Sequence, residues 1–420
     1  MRTIDASMLT TELSSLPTHV PRVVVSGNLA TPWTLLEVLD EVLPEYRLFV
    51  LNVQTPPPDR PGVIVETPFV GPGVRDRSER IEYLPMRLSL VPRLFTSTHP
   101  PDVVVVHTTP PQGGLLSLGI EVNILPAAIA ATRRRGGLVI AQLNPEMPFT
   151  TGDATLAVDE IDLAVEVPAP LPEAPLASST TAAEEIGRRA ASFVEDGGTL
   201  QLGIGSIPDA VTRQLERRRG LGLWSEMLSD GVMGLERQGA LDERRAICAT
   251  FLLGSAELYL WADANPRLVL QRTERINDPA QIAAQPGMVS INGAIEVDLF
   301  AQSNASHRAG RVYSGFGGQP DFVSGALHSN GGHALIVLEA WHEPTEASKI
   351  VPLLRSPATS FQHSAIVTEF GTAQLFGKSA HEQALVLARR AADPRARAML
   401  EAAAAHQSEH HDRPPNAPPL

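Results

Sequence analysis

Short β-branched and aliphatic runs, each followed by a turn and a helix-like stretch, limit more than anything else how this chain can fold. They occupy 22–26, 103–107, 138–142, 163–167, 246–252, 289–292, 334–338 and 365–368. A strand with one face in water alternates apolar and polar residues. Unbroken apolar runs of this length instead suit strands covered on both faces, as in a parallel sheet. The amphipathic stretches between them, such as 31–39, 182–193 and 209–215, would supply the covering helices. The pattern predicts an α/β fold built from open, mostly parallel sheets.

At 420 residues the chain is too long for one ordinary core, so two domains are expected. A Pro-, Ala- and Ser-rich stretch at 168–179 marks the boundary, placing a first α/β domain at 1–175 and a second at 180–400. The capping-box pattern Thr181-Ala182-Ala183-Glu184 opens a helix directly after it. The halves echo each other: Val24-Val25-Ser26-Gly27 with Pro32 parallels Leu202-Gly203-Ile204-Gly205 with Pro208, as duplication of one unit would leave. Residues 401–420, ending in a proline-rich run, are expected to form a disordered tail.

A net charge of −13 argues against a general nucleic-acid binder, which needs a basic face. The single cysteine, Cys248, excludes an internal disulfide and lies in an apolar run, as a buried thiol would. The N-terminus has no signal-peptide pattern, and no apolar segment approaches the ~20 residues needed to cross a bilayer. A cytoplasmic protein is therefore expected. No metal site is expected either, because His406, His410 and His411 all fall in the tail. G-x-S-x-G is absent, a Rossmann fingerprint would need glycine at Pro208, and a Walker loop before Lys378 would need glycine at Thr372.

What remains is a pairing. The glycine turn Gly203-Ile204-Gly205-Ser206-Ile207-Pro208 stands between a strand-like and a helix-like run, so its backbone N–H groups can hold an anion or a developing oxyanion. Shortly after it comes Glu226, a carboxylate able to act as a nucleophile toward an activated acyl group. A second glycine cluster, Gly315, Gly317 and Gly318, leaves backbone bare for a ligand or another chain segment to approach.

These motifs resemble the acetyl-CoA hydrolase/transferase family, in particular its 4-hydroxybutyrate CoA-transferase type. In the first half the resemblance is carried by 83–89, Ser117-Leu118-Gly119-Ile120-Glu121 and 139–145. In the second half it is carried by 202–211, 225–231, 288–292, 317–322, 350–352 and 367–371. The chain departs from the family pattern at 272–275, 301–311 and 340–344. The resemblance implies two CoA-transferase-type α/β domains with the site in or beside the cleft between them. It makes Glu226 the residue that forms the acyl and CoA intermediates and Asn277 an active-site partner. Gly203, Ile204, Gly205, Ser206 and Ile207 would contact CoA or the oxyanion, with Gly317, Gly318 and Ile295 also on the CoA side. The implied activity is CoA transfer between a short-chain acyl-CoA, such as acetyl-CoA, and a carboxylic acid through a glutamyl-CoA thioester. Hydrolysis with water as acceptor, and acyl-CoA binding without turnover, are the alternatives. No cofactor beyond coenzyme A as substrate is implied, and a homodimer or higher homo-oligomer is expected.

Overall fold

The computed structural model describes residues 1–76, 80–175, 178–358 and 362–409. Each apolar run singled out above forms most of a β-strand, except 246–252, which divides into Ile247–Ala249 and Phe251–Leu252, and their arrangement explains the missing polar alternation. Val103–Thr108 is buried at every position because it has neighbours on both edges and layers on both faces.

Two large sheets organise the chain. In the first, the core strands Arg22–Val25, Tyr46–Phe49, Val63–Thr67, Ile81–Tyr83, Val103–Thr108, Leu138–Leu143 and Leu163–Glu166 are all parallel. In the second, Thr199–Gln201, Gly222–Trp224, Ile247–Ala249, Leu268–Leu270, Met288–Gly293, His333–Val337 and Ala365–Thr368 are likewise parallel. The strand order is the same in both. The first core strand of each half lies in the middle, the next three extend the sheet to one side, and the following three to the other. A shared order is consistent with the duplication that the short echo at Gly27 and Gly203 suggested.

Such an order creates a topological switch point in each sheet, where the loops leaving the first and fifth core strands diverge and open a crevice. Asn28 follows the first core strand in one half and Gly203 in the other. Asn52 and Glu226 both follow the second core strand of their halves.

The halves are not independent. The short strand Thr151–Gly152, from within the expected first domain, pairs with Val269 and Leu270 and forms the edge of the second sheet. One buried apolar cluster also runs through both halves, from Val24 and Val104 to Leu335 and Val367. Residues of the 168–175 stretch lie on the second half: Tyr259 Oη donates to the Pro172 carbonyl at 3.0 Å, and Ala174 N–H to the Gly254 carbonyl at 3.0 Å.

Two local expectations are corrected. The helix Thr181–Ala191 is capped by Thr180, whose hydroxyl accepts from Ala183 N–H, so the cap lies one residue earlier than Thr181. Glu184 turns outward to Ser179 and Arg213. The expected tail from 401 instead continues a helix, Pro394–Glu409. Ala396, Leu400 and Ala404 recur every fourth residue and are buried, which anchors that helix on the second half. Residues 410–420 lie outside the described residues. Cys248 is buried as expected, and burial pushes its thiol up to about 11.

Candidate active site

Glu226 stands in the loop that leaves Gly222–Trp224. Its backbone carbonyl accepts from Thr250 N–H at 2.9 Å and from the Thr250 hydroxyl at 2.7 Å, which pins the loop to the neighbouring strand end. The preceding Ser225 hydroxyl donates to the Leu202 carbonyl at 3.1 Å and so ties the loop to the glycine turn. These contacts fix the backbone and leave the carboxylate facing inward.

The carboxylate has two donors. Asn277 Nδ2 donates to Oε2 at 2.9 Å, and the Gly318 backbone N–H also donates to it. Asn277 is fully buried, held beyond a short helix whose Ile276 carbonyl accepts from Trp224 Nε1 at 2.9 Å. Its Oδ1 has no hydrogen-bond partner among the described residues. Burial pushes Glu226 up to about 7; the Asp321 charge adds to this, while the two donors oppose it. Asp321 is itself raised by burial, to about 6, although it accepts from the Ser89 hydroxyl at 2.8 Å.

Glu226 lies at the junction of two cavities. The larger, about 790 Å³, is bounded by the glycine turn and by first-half residues including Asn28, Phe69 and Asn123. The smaller, about 210 Å³, is bounded by Gly317, Gly318 and Asn292. Gly203, Phe69, Glu226 and Met227 border both. Two spaces meeting at one carboxylate could admit two substrates to the same group.

The glycine turn has the predicted form. Thr199–Gln201 leads in, the helix Ser206–Leu215 leads out, and Gly205 caps that helix with φ 108 and no side-chain hydrogen bond. Only glycine adopts that backbone readily. Gly203, Ile204 and Gly205 line the large cavity, with Ile204 conspicuously exposed. Ser206 and Ile207 do not border either cavity, and Ile207 packs on the apolar core. Ile295 is not brought to a cavity wall either; its N–H pairs with the Asn304 carbonyl at 2.8 Å.

The second glycine loop does two things at once. A Cβ on Gly318 would collide with Glu226 Oε2 and Asn277 Nδ2. A Cβ on Gly315 would meet the Pro68 carbonyl, and one on Gly317 would come within 3.1 Å of the Phe69 ring. The loop also accepts Leu88 N–H at the Gly317 carbonyl, 2.9 Å away. The bare backbone therefore lets Glu226, Asn277 and the first half all approach the loop closely.

Sequence reasoning missed the first-half wall. Glu121 was noted only within a matching run, yet it is buried near Glu226 and is pushed up to about 7, chiefly by burial and also by the Glu226 charge. Asn28, Asn52 and Asn123 beside it went unread. Among the described residues, no group of His, Cys, Asp and Glu is arranged to hold a metal ion, and no helix is long and apolar enough to cross a membrane.

Comparison with known proteins matches residues 254–404 to the acetyl-CoA hydrolase/transferase C-terminal domain. The 4-hydroxybutyrate coenzyme A transferase of Clostridium kluyveri is 37% identical over 76% of this chain and 77% of its own. The succinyl-CoA:acetate/propanoyl-CoA:succinate CoA transferase of Fasciola hepatica is 33% identical over 91% of this chain and 84% of its own. Among solved structures, a 4-hydroxybutyrate CoA-transferase from Porphyromonas gingivalis superposes with a TM-score of 0.80 at 28% identity, covering 97% of this chain and 98% of that one.

Proposed function

Because the chain belongs to the acetyl-CoA hydrolase/transferase family and is a CoA-transferase by its relatives, we propose that Glu226 is the nucleophile of a ping-pong CoA transfer. The observation that carries this reading is the placement of the Glu226 carboxylate, held by Asn277 Nδ2 and Gly318 N–H where two cavities meet.

In the ionised form, a Glu226 oxygen attacks the thioester carbonyl. The C–S bond breaks, CoA leaves as thiolate, and an acyl-glutamyl anhydride remains. The thiolate then attacks the glutamyl carbonyl and expels the first acid as its carboxylate, leaving a glutamyl-CoA thioester. An incoming carboxylate runs the same steps in reverse and departs as the new acyl-CoA. No net proton is gained or lost, and no metal or redox group enters. Dividing the exchange in this way avoids direct attack of one weak carboxylate nucleophile on a distant thioester.

Each addition creates an oxyanion. The N–H groups of the Gly203–Gly205 turn, which lines the large cavity, and of Gly318 are the donors we assign to it, and one such donor is typically worth on the order of 3–4 kcal/mol of barrier. Asn277 orients the carboxylate and supports it as an anion.

The test is to incubate the protein with acetyl-CoA, add borohydride and map peptides by mass spectrometry. Reduction of a thioester at Glu226, absent in Glu226→Ala, is expected. An unmodified Glu226 in a protein that binds CoA would remove the covalent route and leave acyl-CoA binding as the reading. Free acid released equally with and without an acceptor carboxylate would assign hydrolysis instead of transfer.

A further inference from the structure

One first-half residue reaches between the two second-half loops that carry Glu226 and Asn277. Asn123 stands in the turn before the helix Leu125–Arg134. Its backbone is left-handed, with φ of 38, a region that asparagine tolerates better than most side-chain-bearing residues. It is buried, and so are Thr250 and Thr273 of the second half.

Main-chain bonds set Asn123 against both loops. Its N–H and that of Val122 donate to the Thr250 carbonyl, at 3.3 and 3.0 Å. Its carbonyl accepts from Thr273 N–H at 3.0 Å. Each threonine in turn holds one of the two site residues. Thr250 grips the Glu226 carbonyl through both its N–H and its hydroxyl. Thr273 opens the single-turn helix Thr273–Ile276, and its carbonyl accepts from Asn277 N–H at 2.9 Å.

The side chain adds a bond that the main chain cannot supply. The Thr273 hydroxyl donates to Asn123 Oδ1 at 2.8 Å. The Thr250 hydroxyl lies 3.2 Å from the same oxygen, but its one proton serves the nearer Glu226 carbonyl, 2.7 Å away. The orientation of the amide is fixed from its other end. Asn123 Nδ2 donates to Glu121 Oε1 at 3.1 Å, and a carboxylate offers only acceptors. Glu121, buried and held in turn by Asn28 Nδ2 at 2.7 Å, thus turns Asn123 Oδ1 toward Thr273. A four-residue helix has too few internal bonds to hold its own place. Trp224 Nε1 grips it at the Ile276 carbonyl, and Asn123 grips it at Thr273.

We propose that Asn123 is a positioning residue for the transfer reaction: anchored by Glu121, its Oδ1 holds Thr273 so that Asn277 Nδ2 stays on the Glu226 carboxylate. This rests on the nucleophile reading above and adds to it a brace from the other half of the chain. Asn123 acts through Thr273 and Asn277.

The test is a double-mutant cycle on kcat for acetyl-CoA with butanoate as acceptor, taken per mole of folded protein. Asn123→Gly keeps the left-handed backbone and the main-chain bonds while removing Oδ1. It should lower kcat about tenfold, the worth of one hydrogen bond. Thr273→Val, of the same shape without the hydroxyl, should match it. Thr273→Ser restores the hydroxyl and should stay within about twofold of wild type. The coupling separates positioning from a general loss of packing. Asn277→Ala should cost about 10²-fold in the wild type but only about tenfold in Asn123→Gly or Thr273→Val, as residues of one hydrogen-bond network do. An equal cost of Asn277→Ala in all backgrounds overturns the proposal and leaves the transferase reading intact. So does a kcat within about threefold of wild type in both Asn123→Gly and Thr273→Val. No turnover by the wild type, with no borohydride-trapped Glu226, overturns both.

Discussion

Gly318→Ala isolates the close packing around the nucleophile from backbone strain. Gly318 has φ −88 and ψ −4, a conformation that alanine adopts without penalty. The added Cβ would collide with Glu226 Oε2 and Asn277 Nδ2 and stand 3.1 Å from Glu226 Cδ. To reach van der Waals distance the carboxylate and its amide donor must retreat by about 1 Å, a displacement that typically costs on the order of 10²-fold in rate. The Glu226 carboxylate borders both cavities and can yield into them, whereas Asn277 is fully buried, so the stability cost should fall within the usual range of about 1–3 kcal/mol for overpacking. The assay is steady-state acyl transfer alongside thermal melting. The expected result is a large fall in kcat with a small shift in melting temperature. Gly317→Ala provides the contrast: φ is 56 there and the Cβ would approach Phe69, so stability should fall as well as rate. Turnover of Gly318→Ala within about threefold of wild type would refute the argument that Glu226 must stay where Gly318 permits it.

Because Glu226 must be ionised to attack and is held near 7, kcat/KM for the free enzyme should fall about tenfold per unit below pH 7 and level off above pH 8; a flat profile from pH 5 to 8 would contradict this. Asn277→Asp exchanges a donor for a like charge beside Glu226, so the midpoint of that profile should move up and turnover should drop about 10²-fold; a midpoint that stays put or moves down would count against the contact. In the first sheet, burial alone would raise Glu66, but Arg22 and Arg47 outweigh it and hold the carboxyl below its usual range. Glu66→Ala leaves Arg22 without its carboxylate while Arg47 keeps Glu82, and should cost about 3 kcal/mol, the low end for a broken buried pair, by denaturant titration. Glu257→Ala breaks the exposed pair with Arg237 and should change stability by less than about 1 kcal/mol.

The strands were legible because burial on both faces removes polar residues from a strand, and that leaves a mark on the sequence itself. The helix Pro394–Glu409 left one too: Ala396, Leu400 and Ala404 recur at helical spacing, but the proline-rich run ending the chain suggested a tail. Glu226 and the glycine loops drew attention because each sits in a distinctive local run, whereas Asn277 came only with the resemblance. Ile295 likewise came only with the resemblance, and its placement two residues beyond Gly293, which does border the small cavity, could not be read from spacing. The amide cluster was illegible for a different reason. Asn28, Asn52 and Asn123 are ordinary loop residues until three loops converge, and their left-handed backbones cannot be seen in a one-dimensional pattern. Glu121 looks like any surface glutamate until its burial is known.

The repeated strand order explains why the site divides its labour between the halves. Equivalent loops meet across the cavity: Asn28 and Gly203 after the first core strands, Asn52 and Glu226 after the second. A duplicated unit facing its copy would begin with two similar walls, and the walls have since taken different residues. The second half has a glycine turn, a carboxylate and its donors, the parts needed to break and make acyl bonds. The first half has Asn28 and Asn123 held by the buried Glu121, a polar wall on the same cavity. Outside Asn123 and its anchor Glu121, rates and selectivity should therefore separate by half. Changes at Gly203, Asn277 or Gly318 should slow every thioester alike, whereas changes at Asn28 or Asn52 should alter the ratios between thioesters. An Asn28 or Asn52 variant that slowed all substrates equally, or a second-half variant that reordered them, would show that the two walls act as one.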